Sequence, residues 1–167
     1  MALTISAHRP VDRAEEILTP EALAFIEELH QRFAATRGDL LKARAVKREE
    51  VARTGRLDFL PETRDIREGD WTVAPAPAAL QDRRVEMTGP AAPAKMAINA
   101  LNSGAKVWLA DLEDASTPTW SNVIESILNL RDAAAGTLAY TSPEGKEYKL
   151  RTDARWPSSW RARAAGT

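Results

Sequence analysis

The sequence predicts an α/β fold: a helical N-terminal part followed by the first units of a parallel β/α arrangement. Three observations carry that prediction. Residues 84–135 read as strand, helix, strand, helix. The second of those strands, Val107 to Leu112, is nearly continuous in apolar character, as strands covered on both faces are. Upstream, Leu23, Phe25, Ile26, Leu29 and Phe33 recur close to the helical period.

In chain order, residues 1–18 are polar and expected to be loose. Thr19-Pro20-Glu21 supplies a cap, a proline suited to the first helical turn and an early acid, so a helix starts there. Gly38 is expected to interrupt it, with a second helix from Asp39 to about Arg53 closed by Thr54-Gly55, the two forming a helical hairpin. Residues 56–81 read as an extended, irregular connector around Asp70-Trp71 and Ala74-Pro75-Ala76-Pro77. Arg84 to Thr88 alternates as a strand, Lys95 to Asn102 is a helix ended by Gly104, and Trp120 to Ala135 is a helix introduced by Pro118 and Thr119. Thr137–Tyr140 and Glu147–Arg151 flank Ser142-Pro143-Glu144-Gly145 as a hairpin.

Composition narrows the function. The 167 residues are 44% hydrophobic and 28% charged with a formal net charge of −1, and basic residues are interleaved with acidic ones, which argues against a nucleic-acid partner. The absence of cysteine excludes disulfides, thiolate catalysis and Cys-ligated zinc, and fits a reducing compartment. No signal-peptide core and no apolar run near the roughly 18 residues of a membrane span occur, so the expectation is a cytoplasmic protein without a membrane partner.

The chemistry-bearing stretch is VWLADLEDASTP, residues 107–118, where an apolar strand ends in Asp111, Glu113 and Asp114. Ligands in β/α proteins meet the carboxyl ends of parallel strands. Strand alternation would put Asp111 and Glu113 on one face. Three like charges so close repel unless a cation or basic group offsets them, which makes an acidic shelf beside metal or substrate one reading. The other is a set of solvated loop residues in which Asp114 or Ser116 caps the next helix. Lys95 could meet a phosphate or carboxylate, or stand in solvent at a helix start. His30 on its amphipathic helix and His8 near the start offer no histidine catalysis. Trp71, Trp108 and Trp120 read as packing groups.

Longer segments carry a resemblance. LQDRRVEMTGP (80–90), KMAINALNSGAKVWLADLEDASTPTW (95–120) and LNLRDAAAGTLAYTSPEGKEYKLRTD (128–153), with EILTPEAL and GRLDFLPETRDIREGDWTVAPAPAAL upstream, resemble the N-terminal region of malate synthases of the short bacterial and plant-peroxisomal form. The resemblance implies a TIM barrel preceded by a helical clasp and followed by a C-terminal plug domain. It implies condensation of acetyl-CoA with glyoxylate and hydrolysis to malate and CoA, a step of the glyoxylate cycle, with Mg²⁺ as cofactor. On it, residues 1–18 are a flexible N-terminus, 19–81 the clasp and connector, 82–153 the incomplete start of the barrel with a hairpin insertion, and 154–167 a tail foreign to the family. Asp111, Glu113, Asp114 and Lys95 would line the substrate site. The catalytic arginine and aspartate and the Mg²⁺ ligands of the family would come from later strands, so this chain is expected to hold none of them.

Two departures stand out. Where the family has an acid and then arginine before Lys-Met, this chain has Ala92-Pro93-Ala94-Lys95-Met96, so a basic side chain is missing. The tail from Arg155 to Thr167 lacks strand pattern, yet read from the third base of the Arg155 codon, with wobble bases chosen GC-rich except for the T that Trp requires, the shifted frame can encode Leu-Ala-Val-Val-Val-Ala-Arg-Pro-Arg-Gly-Trp-His. That is the strand and arginine motif the family needs, so the tail is expected to be out-of-frame translation. A TIM barrel takes about 250 residues, so residues 1–167 are expected to be inactive alone. Rival readings are a citryl- or malyl-CoA lyase-like protein, whose second-strand end carries a similar L-E-D-A motif, and a noncatalytic interaction module.

Overall fold

A computed structural model describes residues 3–6 and 9–152. The chain divides into two compact units, one of residues Met1–Thr4 and Pro20–Pro75, the other of Ile5–Thr19 and Ala76–Thr167. The expected foreign tail, 154–167, lies outside the described residues, as does His8.

The first unit is dominated by α1, Pro20–Thr54, a single helix of 35 residues. The expected break at Gly38 and the helical hairpin do not form. A mid-helix glycine costs about 1 kcal/mol relative to alanine, and nothing else near Gly38 favours a turn: it does not adopt a positive φ, and no proline follows. Ion pairs one turn apart run along the helix, Arg32 to Glu28 at 2.6 Å, Lys42 to Asp39 at 3.1 Å and Lys47 to Glu50 at 2.9 Å. The helix stops where expected, at Gly55, which takes φ 69° and donates its N–H to the Val51 carbonyl at 2.8 Å. α1 buries no residue, and Phe25, Phe33 and Leu40 are exposed. The connector is less irregular than expected. A 3-10 turn at Pro61–Thr63 leads into α2, Arg64–Glu68, and Trp71 Nε1 donates to the Ile66 carbonyl at 2.6 Å. Trp71 is nevertheless 61% exposed, not a packing group.

The second unit contains the β/α elements. β1 (Glu86–Gly89) pairs in parallel with β2 (Val107–Ala110), and α3 (Ala94–Asn102) joins them. Parallel neighbours need such a crossover, because a tight turn can only return the chain antiparallel. Both strands are shorter than expected, although the Val85 carbonyl accepts from Lys106 and the Gly89 carbonyl accepts from Asp111, extending the ladder at each end. Coverage of β2 on both faces is not observed: Trp108 is buried while Leu109 is 57% exposed. α4 spans Trp120–Ala135, capped at its start by the Thr119 hydroxyl accepting the Asn122 N–H and ended by Gly136 at φ 74°. The hairpin follows as antiparallel β3 (Ala139–Thr141) and β4 (Glu147–Lys149).

α3 is the hub. It packs against α4, both β1 and β2, and both hairpin strands. Its Ala97, Ile98, Ala100 and Leu101 join Ala91, Trp108, Ala133, Leu138 and Leu150 in one buried cluster. Two asparagines fasten the loops around it. Asn102 Nδ2 donates to the Lys149 carbonyl and its Oδ1 accepts the Arg151 N–H, while Asn129 Nδ2 donates to the Ala91 carbonyl. Residues 1–18, read from sequence as loose, include a 3-10 turn at Ala14–Glu16 joined to α4 by ion pairs.

Candidate functional site

The candidate site is the turn after β2. The strand ends at Ala110, so the alternation that would align Asp111 with Glu113 no longer applies. Asp111 is half-buried and faces its own main chain. Its Oδ1 accepts the N–H groups of Glu113 at 2.8 Å and Asp114 at 3.0 Å, and its Oδ2 accepts that of Ala115 at 3.1 Å. The Ser116 hydroxyl donates to the Asp111 carbonyl at 2.9 Å. One carboxylate thus satisfies three backbone donors that the strand ladder leaves unpaired. The cap expected from Asp114 or Ser116 on the next helix is supplied by Thr119 instead, because the chain needs residues 111–118 to complete the turn first.

Glu113 and Asp114 are exposed. The three acids are brought together, but only Asp111 is engaged by the fold. Lys95 is exposed on the first turn of α3, and no ion pair joins it to the three acids among the described residues. Its charge is felt instead by Glu144 of the hairpin, whose carboxyl lies below the ordinary value mainly through the Ser142 hydroxyl and least through Lys95. Trp120 is 39% exposed and Trp108 buried, so only Trp108 of the three tryptophans is a core group.

The other end of β1 carries a tighter electrostatic arrangement that the sequence reading missed. Asp82 accepts two hydrogen bonds from the Arg84 guanidinium at 2.8 Å and lies 3.7 Å from Lys106. These partners, Arg84 first, hold the Asp82 carboxyl well below the usual carboxylate range. Two adjacent arginines, Arg83 and Arg84, between the acids Asp82 and Glu86 are the available signal.

The described residues do not fit a Mg²⁺ site. No group of three acidic, histidine or cysteine side chains is placed to hold a metal ion among them, and the Asp111 carboxylate already accepts three backbone hydrogen bonds. Among the described residues no helix is long and apolar enough to cross a membrane.

A parallel strand pair joined through a helix, with its polar turn at the carboxyl ends, defines a β/α protein of the class that carries chemistry on strand-following loops. Sequence comparison adds a family to this architecture. Residues 7–65 match the family description of the malate synthase N-terminal domain. Malate synthase of Streptomyces clavuligerus is 58% identical over 146 residues, covering 86% of this chain and 27% of the relative. That of Myxococcus xanthus is 55% identical, covering 81% and 25%, and the glyoxysomal malate synthase of Zea mays 51% identical, covering 80% and 24%. The chain belongs to the malate synthase family and corresponds to its N-terminal part. It spans about a quarter of the length of these relatives.

Proposed function

We propose that this chain supplies the helical clasp and the first β/α units of a TIM-barrel malate synthase, which condenses acetyl-CoA with glyoxylate and hydrolyses the product to malate and CoA. The observation that carries the reading is the 58% identity over 146 residues to a named malate synthase. The order of β1, α3, β2 and α4 supports it, because that order is how such a barrel begins. In this reading the turn of Asp111, Glu113 and Asp114 stands on the loop side of the barrel, and Lys95 at the start of α3 lines the same side. Asp111 acts by shaping the turn; Glu113 and Asp114 contribute negative potential to the substrate site.

In this reading Mg²⁺, the catalytic arginine and the aspartate base belong to parts of the family enzyme that the described residues do not represent. Residues 1–167 alone therefore carry out no turnover. The test is release of CoA thiol from acetyl-CoA and glyoxylate with Mg²⁺ present, using the purified chain alone and co-expressed with the remaining three quarters of a relative. No release alone and release on co-expression is the expected result. Turnover by the chain alone would overturn the assignment of the chemistry to later strands; binding of the remainder without turnover would favour an interaction module.

A further inference from the structure

Four charged side chains from distant parts of the sequence meet where the N-terminal arm lies on α4. Arg13 Nη1 donates to Asp132 Oδ2 at 2.7 Å and its Nη2 to Oδ1 at 2.9 Å, a two-pronged contact. The same guanidinium donates to both carboxylate oxygens of Glu16, at 2.7 and 3.0 Å. Arg131 extends the chain of contacts, donating to Glu16 Oε2 at 2.6 Å and to the Glu16 carbonyl at 3.2 Å. Signs alternate around all four groups, so each charge has an opposite neighbour. The exposed Asp12 and Glu15 flank the cluster on the arm.

The backbone under this cluster is held in an unusual state. Arg13 has φ 67° and ψ 11°, the left-handed conformation, and is the non-glycine residue with positive φ among the described residues. Side-chain-bearing residues avoid that region, so they occupy it where contacts hold them there. The turn that follows is closed by the Leu18 N–H on the Ala14 carbonyl at 2.9 Å. The Arg13 guanidinium contacts share the task of holding this conformation with the backbone hydrogen bonds of the turn and with the Arg131–Glu16 pair.

We propose that residues 13–18 form an electrostatic strap on α4, closed at neutral pH and low ionic strength and opened by salt or by acid. It gives the Arg131-Asp132 pair of the LNLRDA segment a role in fastening the arm. Arg13 is 45% exposed, which leaves the contacts open to screening by salt, whose range falls to about 3 Å at 1 M. The acid response follows from the carboxylates. Glu16 and Asp132 are both held below their ordinary values, in each case chiefly by the hydrogen bond from Arg13. A lowered folded value means the attraction is complete above the ordinary carboxylate range, near pH 4, and is lost as pH falls through the lowered values.

The test is hydrogen exchange of the Leu18 amide by NMR in the 167-residue chain, with the Leu128 amide of α4 as internal reference. Raising NaCl to about 1 M is expected to speed Leu18 exchange on the order of five- to tenfold and to leave Leu128 unchanged. Arg13→Ala and Asp132→Asn are each expected to speed Leu18 exchange in low salt and to shrink the salt response, the remainder being carried by the Arg131–Glu16 pair, which adding Arg131→Ala to Arg13→Ala removes; Arg13→Lys, with the charge but without the fork, falls between the parent and Arg13→Ala. Indifference of Leu18 to salt, or acceleration of Leu128 in step with it, would overturn the strap. If a variant fails to fold, the salt and pH series on the parent chain decides alone.

Discussion

At Asp111 a carboxylate that reads in the sequence as lining a substrate site organises its own turn. Its two oxygens take three main-chain N–H groups, a task that needs a short side chain at the end of a strand and no metal. Asp111→Ala removes all three acceptor contacts and is expected to destabilise the second unit by about 1–2 kcal/mol, the range of losing a side-chain cap. Asp111→Asn keeps one acceptor oxygen and should lose less. Denaturant unfolding followed by tryptophan fluorescence measures both, and equal stability of Asp111→Ala with the parent would show the turn to be held by other contacts. The sequence makes the cluster visible but not its division of labour, because period-two alternation extended to Glu113 runs three residues past the end of the strand at Ala110. Lys95 escaped for a different reason: the charge it acts on, Glu144, is on a hairpin some 50 residues later, and no local pattern predicts how that hairpin folds back onto α3.

Among the elements, those with two good end signals were legible to the residue. α4 begins after Thr119, whose hydroxyl caps it, and ends before Gly136 in the left-handed conformation, so Trp120–Ala135 is observed as expected. α1 shows the opposite case. Gly38 was read as a boundary although neither a following proline nor a left-handed conformation supports one, and the helix passes through it. A Cβ added at Gly38 meets nothing within 4 Å, so Gly38→Ala is expected to stabilise the helix by about 0.5–1 kcal/mol. At a true turn glycine the same change is unfavourable. Helical circular dichroism against temperature distinguishes them: a higher midpoint for Gly38→Ala supports one continuous helix, and a lower one would restore the hairpin.

For the molecule as a whole, the alternating α and β order was legible because parallel strands demand a helix between them. How much of each strand would be covered was not, since the exposure of Leu109 depends on neighbours outside the strand's own sequence. Stability of the second unit is concentrated in α3, which touches every strand and α4. Ile98 is 1% exposed at that hub, and Ile98→Ala is expected to cost about 2–5 kcal/mol, the range for emptying a core position. Chemical denaturation measures it; a loss below about 1 kcal/mol would mean that the hub collapses to refill the space. The register of β1 on β2 has a consequence of its own. Side-chain bulk tapers along the pair, from Met87 opposite Trp108 to Gly89 opposite Ala110. Anything approaching from the loop side therefore meets a nearly bare peptide floor, and substituting larger groups at those last two positions is the direct way to raise it.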